Sequence, residues 1–433
     1  MSKPKPIVVL LGSLLTALCG AWALWVTFES PMRQALTLLW SACAVAVAVW
    51  FVYRTVPGRR LWWFVWIVAI GARVALWWSP PVLSDDVYRY LWDGRVALAG
   101  ISPYRYAPSD PRLDLPRDSD WANINHKEIP TIYPPLSQML FAALTWMQPS
   151  IWTFKAAFAL FDMLIGLMLL VAAKRTVRGP PRAALLLYLW HPLLLFEYAG
   201  SGHVDVLWAL LFVACLIDIE AGRPGRALIW FAGAISAKLI AVAFIPLLIT
   251  RIGWRRTTLA LALAAATYVP YVDAGWNLWS GLQAYSLFWQ FNGFVHALAV
   301  ELPGGAVWSR PVIALAGLTL AILIARRFVD TWRAVQMTCV VMMALLPVNY
   351  PWYWAILPAT VVLRPALPLH VLTLSLLLTY ELLLRYYDTR VWYLSMSVRL
   401  VEAGLLLWSV VHLWRLRSQA DTTEDETPIA DAH

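Results

Sequence analysis

Ser84-Asp85-Asp86 carries the clearest chemical signal in this chain. The two adjacent carboxylates stand just beyond an apolar run, where each has to be hydrated or paired. One carboxylate of such a pair can take a proton from an attacking hydroxyl. Alternatively, the two together can hold a divalent cation, Mg or Mn, that screens a phosphate. The plainer alternative is an N-cap, with Ser84 or Asp85 capping a helix that starts at Val87. Tyr88, Arg89, Trp92, Asp93 and Arg95 fall on or near one helical stripe after the aspartates. Rings and ion-pairing groups together suit a sugar-lined pocket. The competing view is a simple i,i+4 pair of Arg89 and Asp93 beside interfacial aromatics.

Further positions stand out along the chain. Lys238 lies inside an apolar run, where an ammonium needs a cavity or a partner. Arg73 is similar, unless it snorkels outward. His203 and Asp205 follow Gly200-Ser201-Gly202 at the start of a span. There His-x-Asp suits a phosphate or sugar hydroxyl, or Asp205 simply caps the helix. Trp352 and Tyr353 line a pocket or anchor an interface. His126 belongs to the long polar loop and is a candidate to line its pocket.

These residues have to be positioned by membrane helices. Of the 433 residues, 61% are hydrophobic and 14% are charged, against roughly 25% charged in a soluble domain. A soluble enzyme with one core, a disordered chain and a fibrous chain are all excluded. A membrane β-barrel would need short alternating segments, and there are none. The fold class is all-α and polytopic. The net charge of +9 follows from Lys and Arg clustered in short loops, as the positive-inside rule requires, and calls for no nucleic acid. Cys19, Cys43, Cys215 and Cys339 sit in apolar runs without metal-ligand spacing. Residues 7–28 read as an uncleaved first span. The other expected spans are 35–53, 61–79, 152–173, 182–199, 204–221, 256–272, 310–327, 333–348, 350–364, 367–386 and 398–416.

Charge parity orders these spans. Basic clusters at Arg54–Arg60, Lys174–Arg182, Arg251–Arg256 and Arg326–Arg333 belong in the cytoplasm. For all four to do so, 134–148 must lie along the interface instead of spanning. In addition, 226–249 must enter and return on one side as a broken hairpin with Lys238 near the break. The stretch 80–151 is then extracytoplasmic and both termini are cytoplasmic. The expected organisation is one transmembrane domain, 1–416, with 80–151 as a catalytic loop carrying interfacial helices. A disordered tail, 417–433, would follow. The flanking Arg385 and Arg390 run against the charge rule for an external loop, which assigns them a task such as holding a lipid phosphate.

In order along the chain come the acidic pair, Gly100-x-x-Pro103-Tyr104, Tyr133-Pro134-Pro135-Leu136, Gly202-His203-Val204-Asp205, Lys238 and Pro351-Trp352-Tyr353. This series resembles the GT-C superfamily of integral membrane glycosyltransferases, particularly the polyprenol-phosphate-mannose-dependent enzymes near glycosyltransferase family 87. The resemblance spans residues 60–400. One departure is the two apparent spans before the acidic loop, where many relatives have one. The resemblance implies a GT-C fold of about 12–14 transmembrane helices in an inner membrane, acting as a monomer. It implies a polyprenyl-phosphate sugar as donor, mannose first, and a glycan, lipid or protein as acceptor. The base would be Asp85 or Asp86, Asp85 by position, with inversion at the anomeric carbon. Lys238, His203, Arg385 and Arg390 would hold the donor phosphate. Tyr88, Arg89, Tyr104, His126, Tyr133, Asp205, Trp352 and Tyr353 would line the sugar and acceptor pocket.

The rival readings are a transporter or flippase of lipid-linked sugars, which also uses broken helices, and a transferase of the O-antigen ligase or polymerase type. The acidic pair discriminates between transferase and transporter. In a transferase, Asp85→Asn or Asp86→Asn is expected to abolish turnover of radiolabelled polyprenyl-phosphate mannose while donor binding survives. A transporter has no such requirement, and its vesicle flux would persist.

Overall fold

The computed structural model describes residues 59–176, 181–389, 391 and 394–425. The expected spans 7–28 and 35–53, together with Cys19, Cys43 and Arg390, lie outside the described residues. The chain is an all-α membrane protein. Among the described residues the extended pairing is confined to isolated bridges from Val348 to Phe291 and Asn292.

Among the described residues, three helices are long and apolar enough to cross a bilayer, at Ile151–Ala173, Gly305–Arg327 and Met396–Arg417. Several other expected spans are interrupted. The run 182–199 ends as a helix at Leu189 and resumes after Pro192 as a π-helical turn, Leu195–Gly200. The runs 350–364 and 367–386 become short pieces, Pro351–Trp354, Leu357–Leu363, Leu367–Ser375 and Leu376–Tyr380. The run 256–272 stops at Ala266, before Pro270. Proline explains most of these breaks, because it lacks an N–H and clashes with the preceding turn, so a piece begins at it or ends before it. At the other extreme, the last helix runs to Asp425, past the start of the expected tail. No glycine or proline occurs between Gly404 and Pro428.

The break at Lys238 is present. Helix Pro224–Ala237 ends there in extended backbone, and Ser137 Oγ donates to the freed carbonyl of Ala237 at 2.8 Å. A 3-10 turn, Leu239–Phe244, and helix Ile245–Ile252 lead to Gly253, whose φ of 86° suits glycine. Helix Trp254–Ala266 then climbs back, so that Thr267 Oγ1 meets Ser236 Oγ at 3.3 Å. The chain therefore turns back at Gly253, which brings Thr267 level with Ser236.

Charges gather at two ends. At one, Arg251 donates to the carbonyls of Phe328 and Val329, Arg364 pairs with Asp330, and Arg226 lies 3.1 Å from Asp218. At the other stand Asp85, Asp86, Asp205 and Lys238.

Arg73 does not snorkel. It is buried 2.6 Å from Asp162 and donates to the carbonyls of Ala69 and Leu189. The Tyr188 hydroxyl donates to Asp162 at 2.7 Å. This pair ties helix Arg59–Trp77 to Ile151–Thr176 and to the end of Pro181–Leu189. Helix Asp86–Leu98 is seated differently, against Pro135–Met147. A Cβ on Gly94 would lie 2.1 Å from Thr145 Oγ1 and 2.6 Å from the Phe141 carbonyl, so the two backbones touch there.

Removing one member of a buried ion pair strands the other charge. Arg73→Met is expected to lower unfolding free energy by about 3–5 kcal/mol, seen as a lower midpoint in detergent. Adding Asp162→Leu should recover most of the loss.

Candidate active site

Asp85 occupies the N-cap position of helix Asp86–Leu98, and Ser84 precedes it. The Ser84 Oγ accepts from the Asp86 backbone N–H at 3.3 Å, and the Asp85 side chain makes no cap bond. Both carboxylates are thereby left for other partners. Asp85 Oδ1 accepts from the Asn125 amide at 2.5 Å. Asp86 Oδ2 accepts from the Tyr133 hydroxyl at 3.2 Å. Tyr133 is itself held from behind, where the Tyr104 hydroxyl donates to its carbonyl at 2.7 Å.

Burial, and then the charge of Asp86, push the Asp85 carboxyl up to about 6. Burial also raises Asp86, opposed chiefly by the nearby positive charge of Lys238. The pair is poised to hold a proton under mildly acidic conditions and to be ionised above them.

The carboxylates stand at the head of a cavity of about 1980 Å³. Its polar end carries Asp85, Asp86, Asn125, Tyr133, Lys238 and Tyr353. Tyr88, Arg89, His126 and Trp352 also reach it. Away from them the walls turn apolar, with Ile240, Val242, Ile313, Leu318, Val341 and Met342.

Lys238 Nζ lies 2.7 Å from both carboxylate oxygens of Asp205 and 4.3 Å from the Tyr353 ring. Asp205 is fully buried. It holds the lysine and does not line the cavity. The Tyr353 hydroxyl meets that of Tyr285 at 2.5 Å. His203 does not line the cavity either. It is fully buried behind Asp86, with its ring stacked on Trp352 at 3.9 Å.

The stripe after the aspartates divides. Arg89 forms the i,i+4 pair with Asp93 at 2.8 Å, and Gln138 bonds the other oxygen of Asp93. Trp92 packs in a separate small core with Leu113 and Ile124, and Arg95 turns to Asp118 and Asp120. Tyr104 is buried against Tyr268 and Tyr271, backing Tyr133 instead of facing a ligand. His126 packs on Trp289 at 4.6 Å. Arg385 is half-exposed, 3.9 Å from Glu381 and away from the cavity.

Three groups escape the sequence reading. Arg310 lines the cavity from helix Gly305–Arg327 and donates to the Trp289 carbonyl at 3.0 Å. Glu197 is buried beside His203, and the Tyr380 hydroxyl donates to it. Tyr350 continues the stack on Trp352, at 4.5 Å. Arg310 and Glu197 had a visible signal, a charge inside an apolar run, of the kind that singles out Lys238.

Among the described residues, no group of three or more His, Cys, Asp and Glu side chains converges as a metal site. Asp85 and Asp86 each accept from a neutral donor, Asn125 and Tyr133. No step below passes through a cation.

Residues 8–253 match a family described as alpha-(1->6)-mannopyranosyltransferase, N-terminal domain. Alpha-(1->6)-mannopyranosyltransferase A of Mycobacterium tuberculosis is 26% identical over 269 residues, covering 57% of this chain and 50% of that protein. The chain thus aligns with about half the length of this curated relative. No solved structure matches it.

Lys238 and Asp205 form a buried couple, so truncating either leaves a charge behind. Lys238→Met is expected to cost about 3–5 kcal/mol of stability. The double variant with Asp205→Asn should unfold closer to wild type by the same thermal measurement.

Proposed function

The chain belongs to the alpha-(1->6)-mannopyranosyltransferase family, and we propose that it moves a mannosyl group from a polyprenyl-phosphate donor to an acceptor hydroxyl. The observation that carries this reading is the continuity of one cavity from a carboxylate pair into an apolar channel. A polyprenyl chain suits the channel walls, its phosphate the cationic boundary, and the sugar the polar end.

At that boundary Lys238 brings a charge largely offset by Asp205. Arg310 gives one N–H to a carbonyl and has no carboxylate partner among the described residues. Arg310 is therefore the stronger candidate for the developing phosphate charge, with planar donors matched to phosphate oxygens. One carboxylate of the pair removes the acceptor proton as that oxygen attacks the anomeric carbon. The C–O bond to phosphate breaks with its electron pair leaving on phosphate, and the configuration inverts.

The test uses purified protein in nanodiscs with radiolabelled polyprenyl-phosphate mannose and a membrane lipid and glycan extract. Label should pass to a new product. Donor that crosses a sealed vesicle without product would overturn the reading in favour of transport. Two finer outcomes are expected. The base works ionised, and burial raises both carboxyls, so kcat/KM should fall with pH well above the 3.8 of an ordinary aspartate, by about tenfold per unit. An ordinary aspartate near 3.8 would leave that range flat. Arg310→Met should raise donor KM by about tenfold or more, the worth of one charge-assisted hydrogen bond, with folding intact by size exclusion.

A further inference from the structure

The apolar part of the cavity is a trough with three walls. Leu239–Phe244 and the start of Ile245–Ile252 form one side, Gly305–Arg327 the other, and Thr331–Leu345 the back. Along Gly305–Arg327 the lining runs from Arg310 through Ala314, Gly317 and Ala321 to Ile324. These positions share one face at helical spacing. At 1.5 Å per residue that face is about 21 Å long.

The front of the trough changes along its length. Ala321 and Ile324 line it and are buried, as is Pro246 on the opposite wall. Ile245–Ile252 packs against Gly305–Arg327, so the front is shut at that end. Nearer Arg310 the walls part. Ala314 and Leu318 on one side and Val242 on the other line the cavity, yet are exposed among the described residues. A residue that both lines a cavity and faces outward stands on the rim of an opening. Two local features leave the seam there. Leu239–Phe244 is a 3-10 turn following the break at Lys238, and Ala314 and Gly317 have little side chain to fill the gap.

The seam faces acyl chains. Gly305–Arg327 is long and apolar enough to cross a bilayer, and Val312 and Leu315 beside the seam are exposed as well. Val82 and Phe288 are also exposed apolar lining residues. They stand close in the chain to Asp85 and Trp289, at the polar end, where a sugar and not a hydrocarbon tail belongs.

We propose that the seam between Val242 and Ala314–Leu318 is a side portal through which the donor's polyprenyl tail passes into the bilayer, so that the enzyme reads the phosphate-proximal isoprene units and not the length of the chain. This rests on the polyprenyl-phosphate donor reading above. An extended undecaprenyl chain is longer than the hydrocarbon core itself, about 30 Å. The buried end at Ala321 and Ile324 bars it from continuing along the trough, so the remainder has to leave sideways. Once outside it lies among acyl chains, which are as apolar as a protein wall, and added length brings little binding free energy. The substrate class that follows is the mannosyl phosphate of a polyprenol of any length, down to a farnesyl chain that ends inside the trough.

The experiment uses full-length protein in nanodiscs with the same membrane extract as acceptor. Undecaprenyl-phosphate mannose and farnesyl-phosphate mannose, both radiolabelled, are compared at equal mole fraction in the bilayer. Wild type should use the two with kcat/KM within about threefold of each other. Ala314→Trp and Leu318→Trp each set a ring across the seam. Either should lower kcat/KM for the undecaprenyl donor by about tenfold or more, while the farnesyl donor stays within about threefold of wild type. Leu315→Trp, exposed on the same helix but outside the cavity lining, should change neither. Wild type that uses the long donor and not the short one would overturn the inference. So would equal losses for both donors in the two seam variants, or no loss for the long donor. Failure of both seam variants to fold, with Leu315→Trp intact, would overturn it too, because an open seam tolerates a ring. Absence of product from wild type with either donor would instead remove the underlying transferase reading.

Discussion

An ionised carboxylate beside hydrocarbon costs more free energy than any one hydrogen bond returns, and Asp86 stands at such a boundary. Its neighbourhood is arranged around that cost. The Tyr133 hydroxyl donates to it, Lys238 supplies positive charge close by, and His203 lies behind it. Lys238 in turn is tolerable at the end of an apolar helix because Asp205 meets it with both oxygens. The acidic pair and the buried lysine are therefore one electrostatic unit, and each half would be unstable without the other.

That unit requires broken helices. Lys238 reaches Asp205 because helix Pro224–Ala237 ends there in extended backbone and the next turn is 3-10. Glu197 is presented by a π-helical turn, and Trp352 by a short 3-10 piece that starts at Pro351. Irregular backbone at membrane depth is tolerated only where protein or a wet cavity satisfies its freed groups. Ser137 does this for the Ala237 carbonyl. The long helix Ile151–Thr176 frames the molecule, and the interrupted ones present Lys238, Glu197 and Trp352.

Much of this was legible from residue type alone. Asp85, Asp86 and Lys238 announce themselves because charge in or beside an apolar run is costly, and all three meet at the cavity. The break at Lys238 was legible as well, since only a chain that returns on itself there keeps the basic loops together. Less legible was the division of labour. Asp205 and Tyr104 read as pocket residues but act from behind, one on Lys238 and one on Tyr133. Arg89 reads as a ligand-facing cation but is engaged by Asp93. Helical spacing places a side chain on a face, and it leaves open which long-range partner reaches it first.

The sequence by itself determined the solvent this protein folds in, the all-α class, the acidic pair and the position of the mid-membrane lysine. Each follows from local hydropathy and from the cost of charge in hydrocarbon, which depend on composition over a few turns. Only the tertiary structure decided that Arg73 pairs with Asp162, that His203 lies behind Asp86 against Glu197, and that Arg310 closes the cavity wall. Those contacts join residues far apart in the chain. Helix ends and crossings set them, Gly94 against Phe141 among them, and they exist only once the helices have packed.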